Sequence, residues 1–221
     1  MPRQPRNTYE GAFVHVNTRG NDRQGVYFDR ADRLAFLQIF DRLQSKYEWV
    51  VYAWVLMTNH YHFVMQIPRD GLSAGMRDLN GGFARWANQR RGRTDHLFGR
   101  RFFSREIVTD AHLLEACRYV VLNPVRAGLC KHPADWAWSS YRACAGICEP
   151  EPFLAPSAAH DLIESEFGTE KSKRFDAYRN FVLAGLEPTW PGANAVPGTV
   201  RRVPLYARDS TSTSRGPRSK T

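Results

Sequence analysis

WVVYAWVLMTNHYHFVMQIP, residues 49–68, is the stretch that decides how the chain folds. Two runs rich in β-branched and aromatic side chains flank Thr58 and Asn59, a pair suited to a short turn. Pro68 closes the second run, because proline has no amide hydrogen for a ladder. The stretch predicts a hairpin, strand 49–57 against strand 60–68. Alternation along the second strand puts Tyr61, Phe63, Met65 and Ile67 on one face and His60, His62, Val64 and Gln66 on the other. The first set is continuously apolar and has to meet helices. The second carries two imidazoles side by side.

Working outward, residues 29–47 read as a helix with Asp29 as N-cap and an apolar stripe at Leu34, Leu37, Phe40 and Leu43. Before it, AFVHVNTR (12–19) alternates as a strand, with Val14, Val16 and Thr18 on one side and His15 and Asn17 on the other; Gly20 and Asn21 break it. After the hairpin, residues 72–91 form a second helix, where Gly81 and Gly82 invite a bend. FFSREIVT (102–109) is a fourth strand, and Asp110 caps a third helix, AHLLEACRYVVLN, stopped by Pro124. The order β-α-β-β-α-β-α predicts an α+β fold: a ferredoxin-like antiparallel sheet with helices packed on one face. Residues 1–143 make one unit on this reading. Residues 144–187 add a C-terminal helical extension, with helices at 161–167 and 173–186. Residues 188–221 are rich in Pro, Gly, Ser and Thr, with six basic residues against one Asp, and read as a disordered basic tail.

The chain has 221 residues, 31 Lys and Arg against 22 Asp and Glu, and a net charge of +9. A surplus of that size suits a polyanion, because each neutralised phosphate releases condensed counterions, although a merely basic soluble protein carries the same sum. Four cysteines without a CxxC pair argue against a zinc ribbon or a disulfide scaffold. No apolar run approaches the ~20 residues of a membrane span. The expectation is a protein of the reducing cytoplasm, associated with the nucleoid and with no membrane.

Three constellations carry chemistry. His60 and His62 project together from one strand face, and imidazoles so placed chelate a divalent metal. Two half-exposed polar residues would look the same. His15 and Asn17 reach that patch only if the two strands are neighbours. On the third helix, His112, Glu115, Tyr119 and Asn123 fall on a polar strip apart from Leu113, Ala116, Cys117 and Val120. Tyr119 is therefore either an interfacial tyrosine with its hydroxyl in water or a nucleophile. A phenol oxygen can attack a phosphodiester and keep the bond energy in a phosphotyrosine. Third, Arg85, Arg90, Arg91, Arg93, Arg100, Arg101 and Arg105 are interleaved with Phe98, Phe102 and Phe103. That pattern fits a single-strand platform or a solvated basic surface.

Together MTNHYHFVMQ (57–66), GRRFFSREI (99–107), RYVVLNPVRAGL (118–129) and WAWSSYRA (136–143) resemble the IS200-like transposases, and among them the REP-associated tyrosine transposases. The resemblance spans about residues 9–143. These are HUH endonucleases, in which two histidines flank a hydrophobic residue, here His60, Tyr61 and His62. The resemblance implies Tyr119 as the nucleophile and His60 and His62 as metal ligands. A polar residue one turn beyond the tyrosine, often Gln, completes the site in relatives. Asn123 stands there with a shorter side chain, and Pro124 disfavours helical geometry at it. It further implies Mg²⁺ or Mn²⁺ as cofactor, single-stranded DNA with a REP-like hairpin and a short guide sequence as substrate, and a 5′-phosphotyrosine intermediate. Arg19, Arg85, Arg90, Arg91, Arg100, Arg101, Arg105 and Arg126 are expected to hold the DNA. A monomer is expected, a dimer being the form of the insertion-sequence enzymes. Two rivals stand beside this reading: an RNA-recognition-like binding module, which would want aromatics on the open sheet face, and a metal-dependent phosphoester hydrolase.

Overall fold

The computed structural model describes residues 9–186; the expected tail, 188–221, lies outside them. Strands β1 (Ala12–Arg19), β2 (Val50–Leu56), β3 (His60–Ile67) and β4 (Phe103–Ile107) form one antiparallel sheet in the order β2-β3-β1-β4. Helix α1 (Arg30–Tyr47) joins β1 to β2, and α2 (Leu72–Arg91) joins β3 to β4. Each helix thus links two parallel strands with a third between them, the interlocked split β-α-β arrangement expected of a ferredoxin-like fold. Helices α3 (Asp110–Arg126), α4 (Tyr141–Cys144), α5 (Pro156–Phe167) and α6 (Arg174–Ala184) follow.

The apolar set of the hairpin does what its pattern requires. Tyr61 and Phe63 are fully buried, with Phe36 against Tyr61 at 4.8 Å between ring centroids and Phe40 stacked on Phe63 at 4.0 Å. Phe83 from α2 closes the cluster edge-on to Phe36. The Tyr61 hydroxyl donates to Asn80 Oδ1 (2.6 Å), and Asn80 passes a hydrogen bond to Thr18 (3.3 Å), so the buried Tyr61 hydroxyl is satisfied. Helix α2 runs unbroken past Gly81 and Gly82. The glycine that matters is Gly75, where a Cβ would lie 2.5 Å from the Trp49 ring.

Helices α1 and α2 share the expected face, but the other face is not left open. α3 lies against β2 and β3 there, with α5 and α6 packed behind it. The cap of α3 is Thr109, whose hydroxyl accepts from the His112 amide, and not Asp110, which is the first helical residue. Nor does Pro124 stop the helix; α3 continues to Arg126. Val120, Val121 and Leu122 are completely buried, and their packing outweighs the one hydrogen bond that Pro124 cannot donate.

The outer edge of β2 is closed by the chain's own later segments. Leu56 N donates to Trp138 O (2.9 Å), Trp136 Nε1 to Leu56 O (3.0 Å), Ser140 N to Trp54 O (3.0 Å) and Ala155 N to Val51 O (3.0 Å). Edge carbonyls of β2 and the Leu56 amide thereby find partners within the chain. WAWSSYRA is an edge cover; it does not enter the site.

Candidate active site

Because β1 lies between β3 and β4, its polar side chains join those of the hairpin. Asn17 pairs with His62 and Arg19 with His60 on one flank, and His15 with Arg105 on the other. The condition that brings His15 and Asn17 to the histidine pair is met. His60 and His62 rings stand 5.1 Å apart, and His15 lies 5.0 Å from His62. Across from them α3 delivers Tyr119, whose ring is 5.8 Å from His15 and 5.9 Å from His62. Tyr119 is 42% exposed, whereas His62 beneath it is 6% exposed. The phenol is thus open to water while the imidazole it packs against is withdrawn from it.

Burial keeps these rings neutral. It lowers His60 to about 4, helped by the Arg19 cation, and His15 to about 4, helped by His112 and Arg105. His62, deepest of the three, is lowered to about 2 by burial and then by His15, His60 and Arg19. A neutral imidazole has one lone pair free to bind a metal, and its neighbours decide which nitrogen holds it. At His60 the choice can be read. Asn59 Nδ2 donates to the Arg23 carbonyl (2.7 Å), which fixes the amide so that Oδ1 faces His60 Nδ1 (2.6 Å). An amide oxygen only accepts, so Nδ1 carries the hydrogen and Nε2 the lone pair. That donor chemistry fits a divalent cation. Among the described residues no three His, Cys, Asp or Glu side chains gather as a metal cluster, so the remaining donors would be neutral or phosphate oxygens. Asn123 turns its amide nitrogen back to the Tyr119 carbonyl (3.5 Å).

Continuity of α3 through Pro124 puts Tyr119, Asn123 and Arg126 on one helix face, at i, i+4 and i+7. The Arg126 guanidinium sits 5.5 Å from the Tyr119 ring centroid and reaches the Gly185 carbonyl at 3.4 Å. Beyond the histidines the surface opens into a groove of about 570 Å³. Arg19 and Arg23 line one side, and Arg100, Arg101 and Phe103 the other. The two loops are tied together: Asn21 N donates to Leu97 O (3.0 Å) and Gly99 N to Arg19 O (3.3 Å). Gly20 has no room for a side chain, its Cβ position lying 2.3 Å from Gln24 O. Asp22 and Arg23 take left-handed conformations beside it.

Of the arginines singled out in the sequence, Arg19, Arg100 and Arg101 line this groove, and Arg105 and Arg126 flank His15 and Tyr119. Arg85 lies by a separate cleft with Asn80 and His96. Arg90 and Arg91 are engaged elsewhere, holding Asp29 and the fully buried Asp32 at 2.6–2.8 Å. Asn59 and Arg23 were not among the residues singled out. A turn asparagine next to a histidine pair, and an arginine just past a Gly-Asn break, were the available signals.

No curated protein matches the chain. A solved structure described as a REP-associated tyrosine transposase bound to a REP hairpin is similar in fold, with a TM-score of 0.58. It is 18% identical, over 70% of this chain and 92% of that one. The family described as IS200-like transposase matches residues 8–122, from β1 through the segment of α3 that carries Tyr119. With the histidine pair on β3 and the tyrosine on α3 both inside the matched region, the chain belongs to the IS200-like transposase family.

Proposed function

We propose that this chain is a metal-dependent single-strand DNA nuclease and strand transferase that acts at hairpin-bearing palindromes and joins itself to DNA through Tyr119. The observation that carries the reading is the exposed Tyr119 phenol standing within 6 Å, ring to ring, of both His15 and His62. An arginine-lined groove adjoins the pair through Asn17 and Arg19, the strand partners of His62 and His60. The phenol oxygen of Tyr119 attacks the scissile phosphorus. The bond to the 3′ oxygen breaks, that oxygen leaves as a hydroxyl carrying the proton given up by the phenol, and a 5′-phosphotyrosine remains. His60 and His62, with Asn123 or a phosphate oxygen, would hold Mg²⁺ or Mn²⁺, which when bound draws charge from the scissile phosphate.

The other side chains orient the strand. Arg19, Arg100 and Arg101 meet the backbone phosphates of the segment entering the groove, and Phe103, 58% exposed, offers a ring on which a base can stack. Arg105 and Arg126 flank the reacting phosphate. The fold neighbour's bound REP hairpin supports a folded-back DNA partner rather than a plain strand. A monomer suffices for this reading, since His60, His62 and Tyr119 come from one chain.

The test is incubation of the protein and its Tyr119→Phe variant with Mg²⁺ and labelled hairpin oligonucleotides taken from intergenic repeats of the source genome. A covalent adduct on denaturing gels, present in the wild type and absent in the variant, is expected. Cleavage that persists in the variant without adduct would replace the tyrosine mechanism by hydrolysis. Binding without cleavage in either protein would leave a DNA-binding module.

A further inference from the structure

His15 stands outside the histidine pair, yet its Nε2 lies 2.8 Å from Nδ1 of His62. This contact runs diagonally across β1 and β3, since His15 pairs directly with Val64 and Asn17 with His62. We infer that His15 is a positioning residue: it accepts the Nδ1 hydrogen of His62 and so fixes the His62 lone pair on Nε2. The inference rests on the proposed reading of His60 and His62 as metal ligands.

Two neutral imidazoles joined by one hydrogen bond have two arrangements. If His15 donated, His62 Nδ1 would be the acceptor, and the hydrogen of His62 would sit on Nε2. Both nitrogens of His62 would then be occupied and the ring could not bind a cation. If His62 donates, Nε2 is free. Only the second arrangement leaves His62 in the state that Asn59 imposes on His60, with Nδ1 protonated and Nε2 available. The two ligands therefore have two different keepers, a turn amide for His60 and a neighbouring strand's imidazole for His62. An orienting partner of this kind is typically worth 10–100-fold in metal affinity.

The test uses full-length protein with ¹⁵N-labelled histidine, read by long-range ¹H–¹⁵N NMR without metal, and titration with Mn²⁺ alone. In the wild type His62 is expected to carry its hydrogen on Nδ1. His15→Gln offers an amide oxygen in place of Nε2 and should keep both that tautomer and the Mn²⁺ affinity within about threefold. His15→Phe removes the acceptor and should shift His62 towards the Nε2 hydrogen and weaken Mn²⁺ about 10–100-fold. His60, held by Asn59, should keep its tautomer throughout and reports whether the fold is intact. If His15→Phe does not fold, the wild-type tautomer and His15→Gln decide. An Nε2-protonated His62 in the wild type, or an unchanged tautomer and affinity in His15→Phe, overturns the inference, and the Mn²⁺ titration of the wild type then decides the metal site by itself. Mn²⁺ that perturbs neither His60 nor His62 in the wild type removes the metal reading, and this inference with it.

Discussion

Strands β1 and β3 supply both faces of the same sheet, and the two faces are built to opposite ends. On the α1–α2 side, Val14, Val16, Tyr61 and Phe63 are 0–2% exposed and meet interlocked aromatic rings. One residue along on each strand, His15, Asn17, His60 and His62 face α3, where neutral imidazoles and an exposed phenol are kept apart from bulk core. A strand's period of two lets a single backbone hold a rigid floor and a reactive ceiling a few ångströms apart. The hydrophobic face fixes register, because a one-residue slip would bury the histidines under α1 and α2. Packing on one side thereby sets the geometry on the other.

The comparison implies that the floor is sensitive to volume and the ceiling is not. Phe63→Ala removes the ring stacked on Phe40 and should cost about 3–5 kcal/mol by urea denaturation, a large share of a domain's total stability. Tyr119→Phe, on the opposite face and exposed, should change stability by less than ~0.5 kcal/mol while abolishing the covalent adduct. A Tyr119→Phe variant that unfolds as readily as Phe63→Ala would break the division of labour between the faces.

Next in size is a pH effect confined to the histidine face. Folding lowers His15 and His60 to about 4 and His62 to about 2, all below the ordinary 6.5. Below pH 6.5 the unfolded chain therefore binds protons that the folded chain refuses, so stability falls as pH drops from 6.5 towards 4. Near-complete burial of His62 makes its share on the order of 3 kcal/mol by pH 4. Urea midpoints of metal-free protein at pH 7, 5.5 and 4 measure it, and His62→Phe should flatten the slope. Asp29, whose carboxyl is held below the usual range by the Asp32 amide and Arg90, contributes a loss that belongs to a lower window. An equally steep slope in His62→Phe would show that burial of His62 is not its source.

How much of this was legible in the residues differs between the faces. The hairpin and the two faces of its second strand follow from alternation in residues 49–68, and the ferredoxin-like fold from the β-α-β-β-α-β rhythm; the register shift between Val51 and Ala53 does not. Tyr119 and the histidine pair follow from spacing and family pattern, but their nearness depends on α3 lying across the second face. Nothing local to α3 says which face it takes. Pro124 pointed the wrong way, because a local penalty on one residue is silent about three buried neighbours. The tautomer of His60 was beyond reach for the same reason: it depends on Arg23, 36 residues before Asn59.

The arginines give the smallest expected effect and separate chemistry from architecture most sharply. In sequence Arg91 and Arg101 belong to one basic run, and both were expected to hold DNA. In the fold Arg91 holds Asp32, a buried carboxylate that also accepts from the Phe28 amide (2.7 Å), whereas Arg101 lines the groove beside β1. Removing Arg91 leaves Asp32 with Arg90 and backbone donors, so Arg91→Ala should cost roughly 1–3 kcal/mol of stability. Its affinity for single-stranded hairpin DNA should be unchanged. Arg101→Ala should leave the urea midpoint in place and weaken DNA binding by roughly 1 kcal/mol, alike for all sequences. The slope of log affinity against log salt should fall by ~0.7, the share of one phosphate on a single strand. Fluorescence anisotropy across a salt series on folded protein reads both quantities at once. If Arg91→Ala lowers the salt slope and Arg101→Ala does not, the DNA runs over the α1–α2 side of the molecule, and the groove beside the histidines is not its path.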